Sequence, residues 1–146
     1  MTFLNYSQIV DDLVTLIADS DIEFDYVAAH MDDYERTLGN TNYCNITLTR
    51  AVNEVTAGNN YTNRVQFELE IGALDLSSKR EAVTIRDGLV NSVQDLVRTN
   101  QNFSSFLESV VLTEVDFEVF GRFAQDEDQS FTATALITLE AIIYSQ

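Results

Sequence analysis

The amino-acid sequence predicts an α+β fold, an antiparallel or mixed sheet of about four to five strands covered on one face by two helices. Three observations predict it. Apolar residues recur at helical spacing in residues 7–18 and 78–98, whereas apolar and polar residues alternate in four other segments. Turn-rich stretches join those alternating segments in pairs. The chain has 146 residues, a usual size for one domain, so we expect a single domain over residues 1–146.

The first predicted element is an amphipathic helix over residues 7–18. Its apolar stripe consists of Ile9, Leu13, Leu16 and Ile17. Asp11 lies in an early turn, where the positive end of the helix dipole favours acidic side chains. Residues 19–40 fit both a helix and a strand, and their structure is left open, apart from a turn at Gly39 and Asn40.

Two alternating segments, residues 43–55 and 64–71, predict a hairpin joined by a turn-rich connection. In the first strand, one face is predicted to carry Cys44, Ile46 and Leu48, and the other Tyr43, Asn45, Thr47 and Thr49. In the second strand, Val65, Phe67, Leu69 and Ile71 share the apolar face. Strict alternation of this kind is typical of a strand that is half buried in an antiparallel sheet.

The second helix is predicted to begin after Ser78 and to continue to about Arg98. Ser78 and Glu81 have the spacing of a capping box, in which each side chain satisfies a free backbone N–H group. The predicted buried stripe contains Ala82, Ile85, Leu89, Val90, Val93, Leu96 and Val97. Gly88 lies within this helix, and we expect it to mark close packing on the sheet.

A second hairpin is predicted at the end of the chain. After a loop over residues 100–108, a strand over residues 109–123 is expected to place Val111, Thr113, Val115, Phe117 and Val119 on one face. An acidic connection, residues 124–130, leads to a last strand over residues 131–144. The face of the sheet that no helix covers should then be polar and acidic, with Glu68, Glu70, Glu114, Asp116, Glu118 and Glu140.

Composition excludes several classes of function. Acidic residues outnumber basic ones 24 to 8, for a net charge of −16. This charge argues against a protein that binds nucleic acid or anionic membranes. The chain lacks an apolar run long enough to span a membrane, and its start lacks the basic region of a secretory signal. We therefore expect no membrane partner.

The residues that carry most enzyme chemistry are scarce. One cysteine, Cys44, and one histidine, His30, exclude an internal disulfide and a histidine-rich metal site. Cys44 fits the apolar face of a strand better than a catalytic nucleophile. The acidic stretch Asp126–Asp128 lacks the residue spacing of a calcium-binding loop. Strand alternation explains the acids on the uncovered face of the sheet, so they do not indicate the paired catalytic carboxylates of a glycosidase. We expect no enzymatic activity, no cofactor and no metal.

Three segments carry a resemblance to a known family. They are the opening helix Asn-Tyr-Ser-Gln-Ile-Val-Asp-Asp-Leu-Val-Thr-Leu-Ile, the paired strands 46–50 and 65–71 with the helix from Ser78, and the C-terminal unit. In that unit, Val115-Asp-Phe-Glu-Val-Phe120 leads through Gln125-Asp-Glu-Asp128 into the alternating strand Phe131-Thr-Ala-Thr-Ala-Leu-Ile-Thr-Leu-Glu140. As a pattern over most of the chain, this layout resembles the tail terminator proteins of long-tailed bacteriophages.

The resemblance implies a structural function in the virion. Such proteins form a hexameric ring that caps the tail tube, ends its polymerisation and provides the surface for head–tail joining. The implied partners are further copies of the chain, the tail tube protein and a head-completion or stopper protein. DNA would pass through the lumen without specific binding. The implied location is the tail–neck junction of the virion, after assembly in the host cytoplasm.

Because function concentrates on loops held by a rigid scaffold, we predict that the two hairpin connections contact these partners. The predicted contact residues are Val55, Gly58, Asn59, Asn60 and Tyr61 in the first connection and Gln125, Asp126, Glu127 and Asp128 in the second.

Three other functions stay open. The chain could be a different neck or head–tail joining protein, which its position in an assembled particle would reveal. It could be a small-ligand-binding or enzymatic α+β domain, which a ligand would stabilise against heat. It could also be an acidic mimic of DNA, which would compete with DNA for a basic partner.

Overall fold

The computed structural model describes residues 6–31, 42–55, 61–75, 78–105, 107–117 and 131–143. Two helices and five strands follow one another in these ranges. They are α1 (Tyr6–Ala18), β1 (Tyr26–Ala29), β2 (Tyr43–Val55), β3 (Tyr61–Asp75), α2 (Lys79–Thr99), β4 (Leu107–Phe117) and β5 (Phe131–Ile143).

The five strands form one mixed sheet in the order β1-β2-β3-β5-β4. Strand β1 runs parallel to β2, and the other three pairings are antiparallel. Helix α1 packs against β1 and β2, while α2 packs against β5, β3 and a small part of β4. The predicted α+β class, an antiparallel or mixed sheet of about four to five strands with two covering helices, is confirmed.

The core lies between the two helices and one face of the sheet. Its largest fully buried side chains include Phe67, Ile9, Leu13, Ile17, Ile46, Leu69, Ile71, Ile137, Leu139 and Ile143. The predicted apolar face of β3 is confirmed in full, since Val65, Phe67, Leu69 and Ile71 are all buried. We call the face under the helices the inner face and the opposite face the outer face.

The two helices have almost the predicted bounds. The Ser78 hydroxyl accepts a hydrogen bond of 3.0 Å from the backbone N–H of Glu81, which satisfies one of the free donors of the first turn. Arg98 lies in the last turn, where the negative end of the helix dipole favours a cation. Residues 19–31, which the sequence left ambiguous, contain the short strand β1, while 32–40 lie outside the described residues.

The buried stripe of α2 differs from the predicted one. Ile85 and Leu96 are only partly buried, and Arg86 is 8% exposed although arginine was not expected there. The prediction of close packing at Gly88 is wrong. This glycine is exposed, and a Cβ atom added to it would meet no neighbour within 4 Å, because the residue lies on the solvent side of the helix.

The alternation predicted for β4 is also wrong. The strand begins at Leu107, and its register with β5 shifts twice, between Leu107 and Ser109 and between Leu112 and Glu114. Each shift moves the following side chains to the other face, as a β-bulge does. Val111 therefore lies on the outer face opposite Glu140, whereas Val115 and Phe117 pair with inner-face residues of β5. Val119 and the rest of 118–123 lie outside the described residues.

Neither helix of the described chain combines the length and the apolar character that a membrane crossing requires.

Candidate partner-contact surfaces

The two connections predicted to contact partners leave the sheet at opposite ends. The chain between β2 and β3 leaves from Val55 and returns at Tyr61, beside the end of the sheet where Asn63 pairs with Ile143. The chain between β4 and β5 returns at Phe131, which pairs with Asp75 at the far end of β3. At about 3.3 Å per residue, the 15-residue strand β3 separates these ends by roughly 45 Å.

The described residues include only part of the predicted contact set. Val55 and Tyr61 are a directly opposed pair at the ends of β2 and β3. Strand β3 thus begins three residues earlier than the predicted start at Arg64, so Tyr61 belongs to the sheet at the base of the connection. Gly58, Asn59, Asn60, Gln125, Asp126, Glu127 and Asp128 lie outside the described residues.

The outer face of the sheet carries the predicted acidic residues. The strand registers place Glu68 and Glu70 of β3, Glu140 of β5, and Glu114 and Asp116 of β4 on this face. Glu114 and Asp116 are exposed, and the other three are partly exposed. Glu118, the sixth predicted member, lies outside the described residues.

One part of the outer face is buried, contrary to the prediction for Tyr43. This side chain is only 5% exposed, because its ring lies over Gly72 on the neighbouring strand. A Cβ atom at Gly72 would overlap the ring atom Cε1 of Tyr43. The Tyr43 hydroxyl donates a hydrogen bond of 2.8 Å to Oε2 of Glu70. A glycine inside a strand pattern is a signal of such close approach, and it was available in the sequence.

Asn45, also predicted to face solvent, is buried at the same end of the sheet. Its side-chain oxygen accepts a hydrogen bond of 2.8 Å from the backbone N–H of Met31. The chain reaches this position just after His30, which has a positive φ of 52°. The backbone at Met31 therefore contacts the buried Asn45 side chain, so the outer face is not uniformly open.

The opposite end of the outer face holds two arginines. Arg64 forms ion pairs with Glu54 (Nε–Oε1 2.9 Å) and Glu140 (Nη1–Oε1 3.6 Å), all three side chains being about half exposed. Such exposed pairs contribute little to stability. An open depression of about 330 Å³ lies here, lined by Arg50, Val52, Glu54, Arg64, Val65, Gln66 and Glu140. Its charges are balanced, unlike those on β4.

The sole cysteine and the sole histidine are placed in different environments. Cys44 is fully buried on the inner face, as its strand position predicted, and His30 is exposed after β1. Burial, with a further contribution from the charge of Glu70, raises the pKa of the Cys44 thiol far above its usual range. Such a thiol is held in its protonated form. Among the residues described, no cluster of three or more His, Cys, Asp or Glu side chains has the arrangement of a metal site.

No protein-family model matches the chain, and no curated protein matches it. The candidate function therefore depends on the residues and on their arrangement in the sheet.

Proposed function

We propose that the chain is a structural virion protein that caps a phage tail tube as a hexameric ring. In this role it ends tube polymerisation and offers the surface on which head and tail are joined. Its partners are further copies of itself, the tail tube protein and a head-completion or stopper protein. The proposal includes no catalytic step and no cofactor, and it locates the protein at the tail–neck junction of the virion, after assembly in the host cytoplasm.

One observation carries the proposal, namely the position of the two hairpin connections at opposite ends of one sheet. A cap has to contact two unlike partners at once, the tube on one side and the joining protein on the other. The connections after Val55 and before Phe131 are separated by the full length of β3. A continuous five-stranded sheet with helices on one face is a rigid spacer between two such contacts.

The charge of the chain supports the passage of DNA through the ring. Six copies of a chain with a net charge of −16 would carry −96. Phosphate groups are repelled by such a field, so DNA would slide through the lumen without specific binding. Mutual repulsion would also oppose nonspecific aggregation of free copies.

The proposal is tested by altering one connection at a time in the phage that encodes the chain. One variant deletes Gly58–Asn60, which spares the paired residues Val55 and Tyr61. A second variant replaces Asp126, Glu127 and Asp128 with Ser. The matched control replaces with Ser three exposed acids in or just after helix α1, namely Asp11, Asp19 and Asp21. Tail length and head attachment are then measured by electron microscopy.

We expect the two connection variants to fail differently. The variant that loses the tube contact should give tails of abnormal length, because the tube is no longer capped. The variant that loses the contact with the joining protein should give tails of normal length without heads. The control should give complete particles. Normal tail length and head joining in both connection variants would refute the assignment of contacts, and complete particles from a phage lacking the chain would refute the function.

A further inference from the structure

Among the described strands, β4 is an edge of the sheet. It pairs with β5 on one side, and no described strand lies on its other side. Beyond its pairing with β5, its hydrogen bonds in the described chain are local, from the N–H of Leu107 to the carbonyl of Ser104. The strand has 11 residues, and its two register shifts leave two regular stretches, Ser109–Leu112 and Glu114–Phe117, whose backbone donors and acceptors another extended segment could use.

The side chains along this edge combine apolar and acidic character. Val111 is 57% exposed and Phe117 46% exposed, and they are two of three large exposed apolar side chains among the described residues. Glu114 and Asp116 follow Val111 on the outer face and are exposed. An isolated exposed apolar residue needs no explanation, but here the apolar residues coincide with unpaired backbone.

Glu114 and Asp116 of β4 differ from three other acids of the outer face, Glu54, Glu70 and Glu140. Glu54 and Glu140 share Arg64, and Glu70 accepts a hydrogen bond from Tyr43. Within the described part of the chain, neither Glu114 nor Asp116 forms an ion pair or a side-chain hydrogen bond. Among the described residues, these two negative charges beside the exposed valine therefore have no ion-pair partner.

We propose that β4 binds an extended basic segment of another protein, which adds to the sheet as a sixth strand. Its backbone would pair with the free edge, as in other cases of β-strand addition. Basic side chains at alternate positions would face Glu114 and Asp116, and an apolar side chain would cover Val111. This inference goes beyond the ring proposal and does not depend on it.

A second copy of the chain fits this edge poorly. Pairing of β4 with another β4 would bring Glu114 and Asp116 close to the same acids of the other copy, and like charges opposite one another are unfavourable. The other edge strand, β1, has only four residues, Tyr-Val-Ala-Ala, and no charge. Strand β1 pairs only with Tyr43–Ile46 of β2, so the rest of β2 is a further stretch of edge, but there the charge of Arg50 is balanced by that of Glu54. Among the described residues, neither of these edges of a second copy carries a net positive charge, so we assign the complementary charge to a different protein.

The test uses three synthetic peptides of equal length and the intact chain. The first alternates Lys and Val, the second alternates Glu and Val, and the third is the Lys peptide with Pro in place of two Val residues. The proline peptide keeps the charge but cannot form a continuous strand. Binding is followed by fluorescence anisotropy, and the binding site is located by amide hydrogen exchange.

Two variants of the chain test the site. The edge variant carries Glu114→Lys and Asp116→Lys. The matched control carries Asp21→Lys and Glu23→Lys, which change the net charge equally at exposed positions beside β1, the opposite edge of the sheet. All four positions are exposed, so both variants should fold, which circular dichroism verifies.

We expect the Lys peptide to bind one site on the wild-type chain and to protect amides of residues 107–117 from exchange. Its affinity should fall about tenfold in the edge variant, where two cross-strand attractions become repulsions, and stay nearly unchanged in the control. The edge variant should instead prefer the Glu peptide. Equal binding of the Lys and proline peptides would overturn the proposal, since it would indicate attraction to net charge alone. Equal losses in both variants, or protection of β4 by self-association without peptide, would also overturn it.

Discussion

At the scale of single residues, Gly72 and Tyr43 form the contact that most alters the outer face. The missing side chain at Gly72 leaves the space that the Tyr43 ring fills, and the hydroxyl reaches Glu70. A position predicted to face solvent is buried as a result. The same residue type has the opposite role at Gly88, where open space surrounds the Cα atom.

These two glycines give a matched pair of substitutions. Gly72→Ala should lower the free energy of unfolding by about 1–3 kcal/mol, because the new methyl group displaces a buried ring. Gly88→Ala should raise it by about 0.5–1 kcal/mol, because alanine favours the helix and meets nothing. Urea unfolding of both variants measures the two changes. A similar change in both would show that the Tyr43 ring does not occupy the space at Gly72.

The buried thiol of Cys44 should make the free energy of unfolding depend on pH. Its pKa is raised in the folded chain by burial and by Glu70, so the folded state holds the proton more tightly than the unfolded state, whose thiol has a pKa near 9.0. The resulting contribution to stability is fully present below pH 9 and is lost as the pH rises above 9. Between pH 9 and 10 it should fall by roughly 1 kcal/mol.

The measurement compares urea unfolding of the wild-type chain and Cys44→Ala at pH 8, 9 and 10. Substitution removes the thiol, so the stability of the variant should fall less steeply above pH 9. Tyrosine and lysine titrations are common to both proteins and cancel in the comparison. Parallel curves for the two proteins would contradict a buried, protonated thiol.

At the scale of elements, the helices were predictable because their signals are local. Ser78 caps α2 through the N–H of Glu81, three residues away, and the periodic stripe starts within the next turn. Strand β1 was not predictable in this way, because its four residues owe their strand conformation to parallel pairing with β2, about 17 residues further along the chain. The alternation predicted for β4 was wrong because the strand has two register shifts. These shifts depend on its pairing with β5, which the local sequence does not specify.

The cap of α2 can be tested directly. Ser78→Ala removes the acceptor for the N–H of Glu81 and should lower the free energy of unfolding by about 1 kcal/mol. Ser78→Asp should restore most of the loss, because a carboxylate both accepts the hydrogen bond and suits the positive end of the helix. Thermal or urea unfolding of the two variants gives the values. An unchanged stability in Ser78→Ala would mean that the cap contributes nothing.

Arg86 connects α2 to the sheet, and no local sequence pattern predicted this contact. Its Nη1 donates a hydrogen bond of 3.3 Å to the carbonyl of Thr134, and its guanidinium lies 4.9 Å from the centre of the Phe117 ring. Asp87 adds an ion pair of 3.0 Å. An arginine at a position of the buried stripe is explained by these partners on β4 and β5, which are distant in sequence.

A double-mutant cycle measures this contact. Arg86→Met and Phe117→Leu keep most of the apolar volume while removing the cation and the ring. The coupling free energy between the two sites should be about 0.5–2 kcal/mol, in the range of cation–π pairs. The same cycle with Arg86→Met and Val111→Leu should give no coupling, since Val111 lies on the other face. Additive effects of Arg86→Met and Phe117→Leu would contradict the contact.

At the scale of the whole molecule, the sheet has one helix-covered face and one largely acidic face, with hairpin connections at its two ends. The alternating strands predicted the layers and most of the outer-face acids. They could not predict that the two connections lie at opposite ends, because this follows from the order β2-β3-β5-β4. The free edge at β4 has the same origin, since sequence order places β4 before β5 but does not say which is outermost.

The central claim, that the chain forms a closed hexameric ring, is tested most directly by its mass in solution with negative-stain imaging. Sedimentation equilibrium over a hundredfold range of concentration, followed by imaging of the same samples, gives both mass and symmetry. Six copies of the 16.5 kDa chain predict a species of about 99 kDa with six-fold symmetry and an open centre. A monomer of 16.5 kDa at every concentration would contradict the ring.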